Sequence, residues 1–416
     1  MSSSGRIRVH ITRHCCCSIV VPGPHIDTFA ASLRSAGYSL KAIRLFVSAA
    51  VHLLGFADQQ AVELPSFDEA TLARFRGHLP RCPCPRRRGR LSRKIVRGTA
   101  LFLVHLRTRG AARKAPPTEP AFGPASERFR DWLARHRGLA PRTLLGYQRA
   151  LVPFFDTLGE DPVAYKPALL RAFVVEHLRR RGHRDVKGSI TAIRAYLRFL
   201  VAEGHVPAGL AAAVPTVPYW RLSSLPRYLV PSDVERVISA ASVATKKGRR
   251  DRAILLLLCR LGLRAGDVVA MTAADVDFTQ GTLRVRGKGR REALLPLPQD
   301  VGDALLLYLS LSPPKTPGDR IFLTVRAPIR SFSTAAVART VDQALTRAGL
   351  HDVPSRGAHL LRHSAATAML RAGSTLDAIG AVLRHRSPDS TALYAKVDLR
   401  MLGRVAQAWP AGAASC

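Results

Sequence analysis

Apolar residues return along the chain with the period of an α-helix. Ile43, Val47, Ala50 and Leu54 stand at i, i+4, i+7 and i+11, and Thr143, Tyr147, Leu151 and Phe154 follow a helical spacing of i, i+4, i+8 and i+11. Each set predicts an amphipathic helix within a small helical bundle. Two proline-rich, turn-prone stretches, 113–124 and 207–231, interrupt the periodicity and read as linkers. Three folded units remain after a tail at 1–24: helical units at 25–112 and 125–206, and a last unit at 232–416 in which helix, hairpin and more helices succeed one another. The last unit is expected to open on a capping box, Ser232-Asp233-Val234-Glu235, whose side chains satisfy backbone donors at a helix start. The expected fold is mainly α, with a small antiparallel sheet in the last unit.

The two helical units echo one another. Phe102, Leu103, Leu106 and Gly110 recur as Tyr196, Leu197, Leu200 and Gly204 at a constant offset of 94 residues. Arg86-Arg87-Arg88-Gly89 recurs as Arg179-Arg180-Arg181-Gly182, and Phe29 with Leu33 as Phe129 with Leu133. Self-similarity of this kind is expected of a duplicated module. Both copies carry an arginine run just before their last helix.

Charge changes the picture next. Lys and Arg number 64 against 29 Asp and Glu, a formal charge of +35 over 416 residues. A polyanion is the expected partner. The DNA-contact candidates are Arg86, Arg87, Arg88 and Arg90 on the first helical unit, and Arg179, Arg180, Arg181, Arg184 and Lys187 on the second. No run of eighteen apolar residues is present, and the start MSSSGRIRVH lacks the apolar core of a signal peptide, so a cytoplasmic location without membrane contact is expected. Seven clustered cysteines do not look like a disulfide framework, and reduced thiols without a metal are expected. The lesser reading is a zinc site assembled from Cys15, Cys17, Cys82 and Cys84, with His14 alongside.

The chemistry gathers in the last unit. An apolar helix ends in Gly262-Leu263-Arg264, with Asp267 three residues on as a carboxylate to orient the arginine. TLRVRGKGRREALLPL reads as two strands around a Gly287-Lys288-Gly289 turn, with Lys288 at the tip. HLLRHSAATAMLRAG sets His359 and Arg362 on one helical face with His363 beside them. His385 precedes Tyr394 by nine residues, with a Ser387-Pro388 helix start between. Each alone is weak, since a lone histidine or tyrosine is usually packed or solvated; their order is the signal.

That order resembles the catalytic set of the tyrosine recombinase, or phage integrase, family: Arg264, Lys288 in a hairpin, the HxxRH pattern of His359 to His363, His385 and Tyr394. The region 125–206 is similar to the family's core-binding, SAM-like helical domain. Two positions depart from the family's habit: Arg384 stands where glycine commonly precedes the histidine, and Lys396 replaces a frequent histidine after the nucleophile. The resemblance implies a site-specific recombinase that cuts and rejoins double-stranded DNA through a 3′-phosphotyrosine on Tyr394.

Elementary chemistry fits. Arg264 and Arg362 suit the nonbridging phosphate oxygens, His359 is the candidate general base, Lys288 the candidate acid for the 5′-hydroxyl, and His385 a hydrogen-bond donor to phosphate. Such a set needs no metal, nucleotide or other cofactor. Leu399, Leu402, Val405 and Trp409 form an apolar stripe that is either packed on its own core or, as family precedent implies, docked on the next protomer of a homotetramer on paired sites, alone or with partner recombinases. The rival readings are a type IB topoisomerase, a telomere resolvase, and a DNA-binding accessory protein that does not cut.

Overall fold

The computed structural model describes residues 23–82, 93–114, 122–216, 226–286, 292–311, 318–385, 387–397 and 402–403, the side chains of 181–185 excepted. The chain divides into two compact units, Met1–Lys114 with Ser224–Cys416, and Ala115–Ser223.

The first unit opens with a bundle of α1 (Pro24–Ser35), α2 (Leu40–Gln59), α3 (Glu69–His78) and α4 (Arg93–Thr108). Pro24 begins α1 where its missing N–H costs nothing, and Ser39 and Asp68 cap α2 and α3 by accepting from the amides of Ala42 and Thr71. Phe29, Ile43, Leu53, Phe75, Phe102 and Leu106 fill the core. By length and composition α2 is apolar enough to cross a membrane, at a mean hydropathy of 1.6, but most of that window is buried inside the protein. Its apolar face is the bundle's core.

The same unit continues with α8 (Pro231–Ser239), α9 (Lys246–Arg260) and α10 (Ala265–Ala270), then strands β1 (Val276–Asp277), β2 (Thr282–Arg286) and β3 (Glu292–Pro296). The strands form an antiparallel sheet in chain order, with Leu283 opposite Leu295 and Arg286 opposite Glu292. Leu283, Val285 and Leu295 face the core in the alternation a one-sided sheet requires. Helices α11 (Gln299–Leu309), α12 (Thr334–Arg347), α13 (Ala358–Arg371), α14 (Leu376–Leu383) and α15 (Asp389–Ala395) complete it. The bundle meets this part where the Ile329 amide donates to the Ala36 carbonyl at 2.9 Å and Arg97 donates to the Ala327 carbonyl at 3.1 Å.

The expected capping box does not form. Helix α8 begins at Pro231 with Val230 as its cap residue, so Ser232 already lies in the first turn. Proline's fixed φ places it at the first helical position and moves the start ahead of the serine. Leu229 is buried in the catalytic core, so this part begins before residue 232.

The second unit consists of α5 (Pro124–Arg137), α6 (Pro141–Leu158) and α7 (Pro167–Ala202). Where the arginine run was expected to precede a separate last helix, α7 runs through it for 36 residues without a break. Between Leu178 and Lys187 only Gly182 opposes helix, at about 1 kcal/mol, whereas Pro80, Pro83 and Pro85 follow α3. Val206, Leu210 and Val214 are buried in this bundle's core, so it extends eight residues into the stretch expected as a linker.

Each bundle, taken by itself, contains similar internal packing. Phe29 meets Phe102 edge-on at 5.1 Å, and Phe129 meets Tyr196 edge-on at 5.4 Å. Gly110 (φ +69°) and Gly204 (φ +74°) each end a helix in the left-handed conformation. The next amide then returns to Leu106 at 2.9 Å in one bundle and to Leu200 at 2.8 Å in the other.

Candidate active site

Helix α9 is a buried apolar rod whose chain must turn back at once to deliver Arg264. Gly262 makes the turn at φ +58°, and a Cβ there would fall 2.5 Å from the Leu383 side chain. Any other residue would be strained and would collide. Arg264 then stands as the cap residue of α10.

Asp267 does not orient Arg264 as the sequence suggested. Its carboxylate accepts the Arg264 backbone amide at 3.0 Å and pairs with the Arg384 guanidinium, while the Arg264 side chain donates to the Arg384 carbonyl at 3.2 Å. Arg384 itself sits at φ +53° after α14. That conformation costs a non-glycine residue about 1–2 kcal/mol, which explains why glycine suits the position. Arg384 is anchored there by its ion pair with Asp267, the two side chains 12% and 7% exposed. Nε and Nη1 of Arg384 have no hydrogen-bond partner among the described residues.

Helix α13 presents His359, Arg362 and His363 together. Arg362 is 5% exposed, and its guanidinium donates to the carbonyls of Gly262 and Leu383, tying the end of α9 to the end of α14. Burial, and then the Arg264 charge, push its pKa down to about 10. His359 and His363 are both pushed below the usual histidine value, by burial first and by neighbouring charge second. His385 is held at about 4 by burial and by Arg362 and Arg264, and its Nδ1 lies 2.7 Å from Thr391 Oγ1. Thr391, six residues beyond His385, carries no sequence signal of that role.

Tyr394 lies on α15 among Ala366, Leu370, Ile379 and Leu383 and is 1% exposed. Burial pushes its pKa up to about 12, with Arg362 pulling the other way. Its hydroxyl is 2.7 Å from His363 Nδ1, and the His385 ring lies parallel to it at 6.4 Å. The structure thus brings His363, the residue expected only to support, against the tyrosine hydroxyl.

Lys288, Arg86, Arg87, Arg88, Arg90, Cys15, Cys17 and Cys84 lie outside the described residues, as do Leu399, Val405 and Trp409 of the apolar stripe. Strands β2 and β3 flank Lys288 as a hairpin requires. Arg179 and Arg180 are exposed on α7 and both pair with Glu176, and Lys187 is exposed further along; the side chains of Arg181 and Arg184 are not described. Cys82 is brought to His52, not to another described cysteine.

A small antiparallel sheet among helices, with two arginines, three histidines and a tyrosine converging from α10, α13, α14 and α15, defines the catalytic fold of the tyrosine recombinases. Residues 227–400 match the phage integrase family. The chain is 41% identical over 282 residues to the integrase/recombinase y4rA of Sinorhizobium fredii, covering 66% of this chain and 68% of that one. It is 32% identical to the tyrosine recombinase XerC of Mesorhizobium japonicum, covering 69% and 95%. Among solved structures, it matches XerH bound to its palindromic difH substrate at a TM-score of 0.56 with 18% identity, over 67% of this chain and 83% of that one. A lambda integrase dimer on a core site matches at 0.53 with 20% identity, over 65% and 93%. The chain belongs to the phage integrase family and is a tyrosine-type site-specific recombinase.

Proposed function

We propose that this recombinase cuts and rejoins double-stranded DNA through a 3′-phosphotyrosine on Tyr394. The observation that carries the proposal is the 2.7 Å contact of the Tyr394 hydroxyl with His363 Nδ1, beside Arg362, Arg264 and His385. The tyrosine oxygen attacks phosphorus and its proton passes to His363. Arg264 and Arg362 neutralise the nonbridging oxygens, His359 and His385 donate to them, and Lys288 protonates the departing 5′-oxygen. The phosphodiester energy is retained in the tyrosyl ester, so the reverse attack by a 5′-hydroxyl rejoins DNA without a nucleotide. A side chain 1% exposed cannot reach a phosphate, so α15 moves when DNA binds. Assembly as a homotetramer on paired sites completes the proposal.

A base must be neutral to accept a proton. Because His363 is held below the ordinary value of about 6.5, its active form persists beneath that pH. Cleavage is therefore expected to stay level through neutrality and to decline only on the acid side of the usual histidine range. His363→Asn should lower the rate about 10²- to 10⁴-fold and abolish that acid limb. A limb left unchanged in single-turnover pH profiles would return the role of base to His359.

The DNA-contact arginines belong to the same proposal. Units 25–112 and 125–206 are read as copies of one module, supported by the matching aromatic pairs and helix ends. Both basic runs then face phosphate. Each phosphate neutralised releases counterion and adds about 0.9 to the slope of log affinity on log salt. Replacing Arg86, Arg87, Arg88 and Arg90 by glutamine in the full chain should flatten that slope by roughly three to four units. An unchanged slope at equal helicity would assign the first module to a protein partner instead.

A further inference from the structure

Three side chains of metal-binding type converge in the N-terminal bundle, away from any group used in strand cleavage. His52 on α2, His78 at the end of α3 and Cys82 after the turn at Leu79–Arg81 each offer one ligand atom, and these atoms lie within 4.8 Å of one another. Cys82 Sγ is 3.3 Å from His52 Nε2. Phe75 packs edge-on against the His52 ring at 5.0 Å, and Phe56 lies against His78 at 4.9 Å. His52 and Cys82 are 1% and 5% exposed, and His78 is half-buried.

We propose that His52, His78 and Cys82 bind a zinc ion. Zn–N bonds of about 2.0–2.1 Å and a Zn–S bond of about 2.3 Å in tetrahedral geometry separate ligand atoms by roughly 3.3–3.7 Å. The cysteine and His52 already stand at that spacing. Closing the remaining separation needs a shift of about 1 Å, within reach of rotation of the half-buried His78 ring. A thiolate with two imidazoles selects a borderline-soft ion over magnesium or calcium. Three protein ligands leave one tetrahedral position for water or a further side chain.

The second bundle supplies a comparison within the same chain. There Phe173 and His177, at a four-residue spacing where Phe75 and His78 have three, hold a single buried histidine: His177 stacks on Phe173 at 5.3 Å with Ser189 Oγ 3.3 Å from its Nε2. The first bundle instead gathers a second histidine and a thiol. Bound zinc would tie α2 to the end of α3 and to Cys82, which precedes Arg86 by four residues in the sequence.

Metal analysis and cobalt spectroscopy of the full-length protein test the site. Purified without chelator and desalted, the wild type is expected to hold close to one zinc per chain. Cys82→Ser and His78→Asn should each retain less than about a tenth of that, since removing one of only three protein ligands costs most of the affinity. Cobalt in place of zinc should show intense tetrahedral visible bands and a thiolate-to-metal charge-transfer band, the latter lost in Cys82→Ser. A wild type that takes up neither metal, or variants that hold zinc as the wild type does, would overturn the proposal and leave a hydrogen-bonded packing cluster. Should Cys82→Ser fail to fold by circular dichroism, the wild-type cobalt spectrum still decides: tetrahedral bands without a thiolate band would also overturn it. None of these readouts depends on DNA cleavage.

Discussion

Tyr394→Phe is expected to abolish strand cleavage while leaving the fold and DNA affinity as they are. The substitution removes one oxygen from a ring packed among Ala366, Leu370, Ile379 and Leu383, so the apolar contacts persist. What is lost is the hydrogen bond to His363 and the nucleophile itself. A net hydrogen bond contributes about 0.5–1.5 kcal/mol, a small cost for a catalytic part with so extensive a core. Cleavage of a radiolabelled site should fall to background, because among the described residues the Tyr394 hydroxyl is the one that contacts His363 Nδ1. Equilibrium binding in a gel-shift titration should match the wild type, and a large fall in affinity would mean that the hydroxyl has a binding role instead.

Lys288→Ala should slow cleavage of ordinary DNA by about 10²- to 10⁴-fold, the range a positioned general acid supplies. The leaving 5′-oxygen is a poor leaving group until it is protonated. A 5′-bridging sulfur leaves as a thiolate and needs no proton donor. On that substrate the variant should cleave within a few-fold of the wild type. Equal defects on the two substrates would remove Lys288 as the acid and place its charge on the phosphate instead.

The catalytic elements were legible in the sequence because each carries a local rule. Gly262 is forced by a positive φ against Leu383, the HxxRH spacing places three side chains on α13, and strand alternation marks β2 and β3 on either side of the stretch that holds Lys288, itself outside the described residues. The partnerships were not legible, since they join residues far apart in the chain. Asp267 reads as a partner for Arg264 three residues away, yet its ion pair is with Arg384 across 117 positions. Nothing local distinguishes His359 from His363; only the folded position of α15 decides which meets Tyr394. The fusion of two expected helices into α7 was missed because Arg179-Arg180-Arg181-Gly182 resembles the proline-flanked run of the first module, though prolines and not arginines end a helix. Thr391, His52 and His78 belong to common residue types whose roles appear only in three dimensions.

The most direct test is to locate the covalent bond. The wild-type protein is incubated with a site nicked close to the cleavage point, so that the short fragment diffuses away and the tyrosyl ester cannot be reversed. Trypsin then releases the peptide Ser387–Lys396, and tandem mass spectrometry reads its nucleotide adduct. The adduct is expected on Tyr394 and joined through a 3′-phosphate. An adduct on another residue, a 5′-linked adduct, or none from protein that binds and cuts the site would contradict the mechanism.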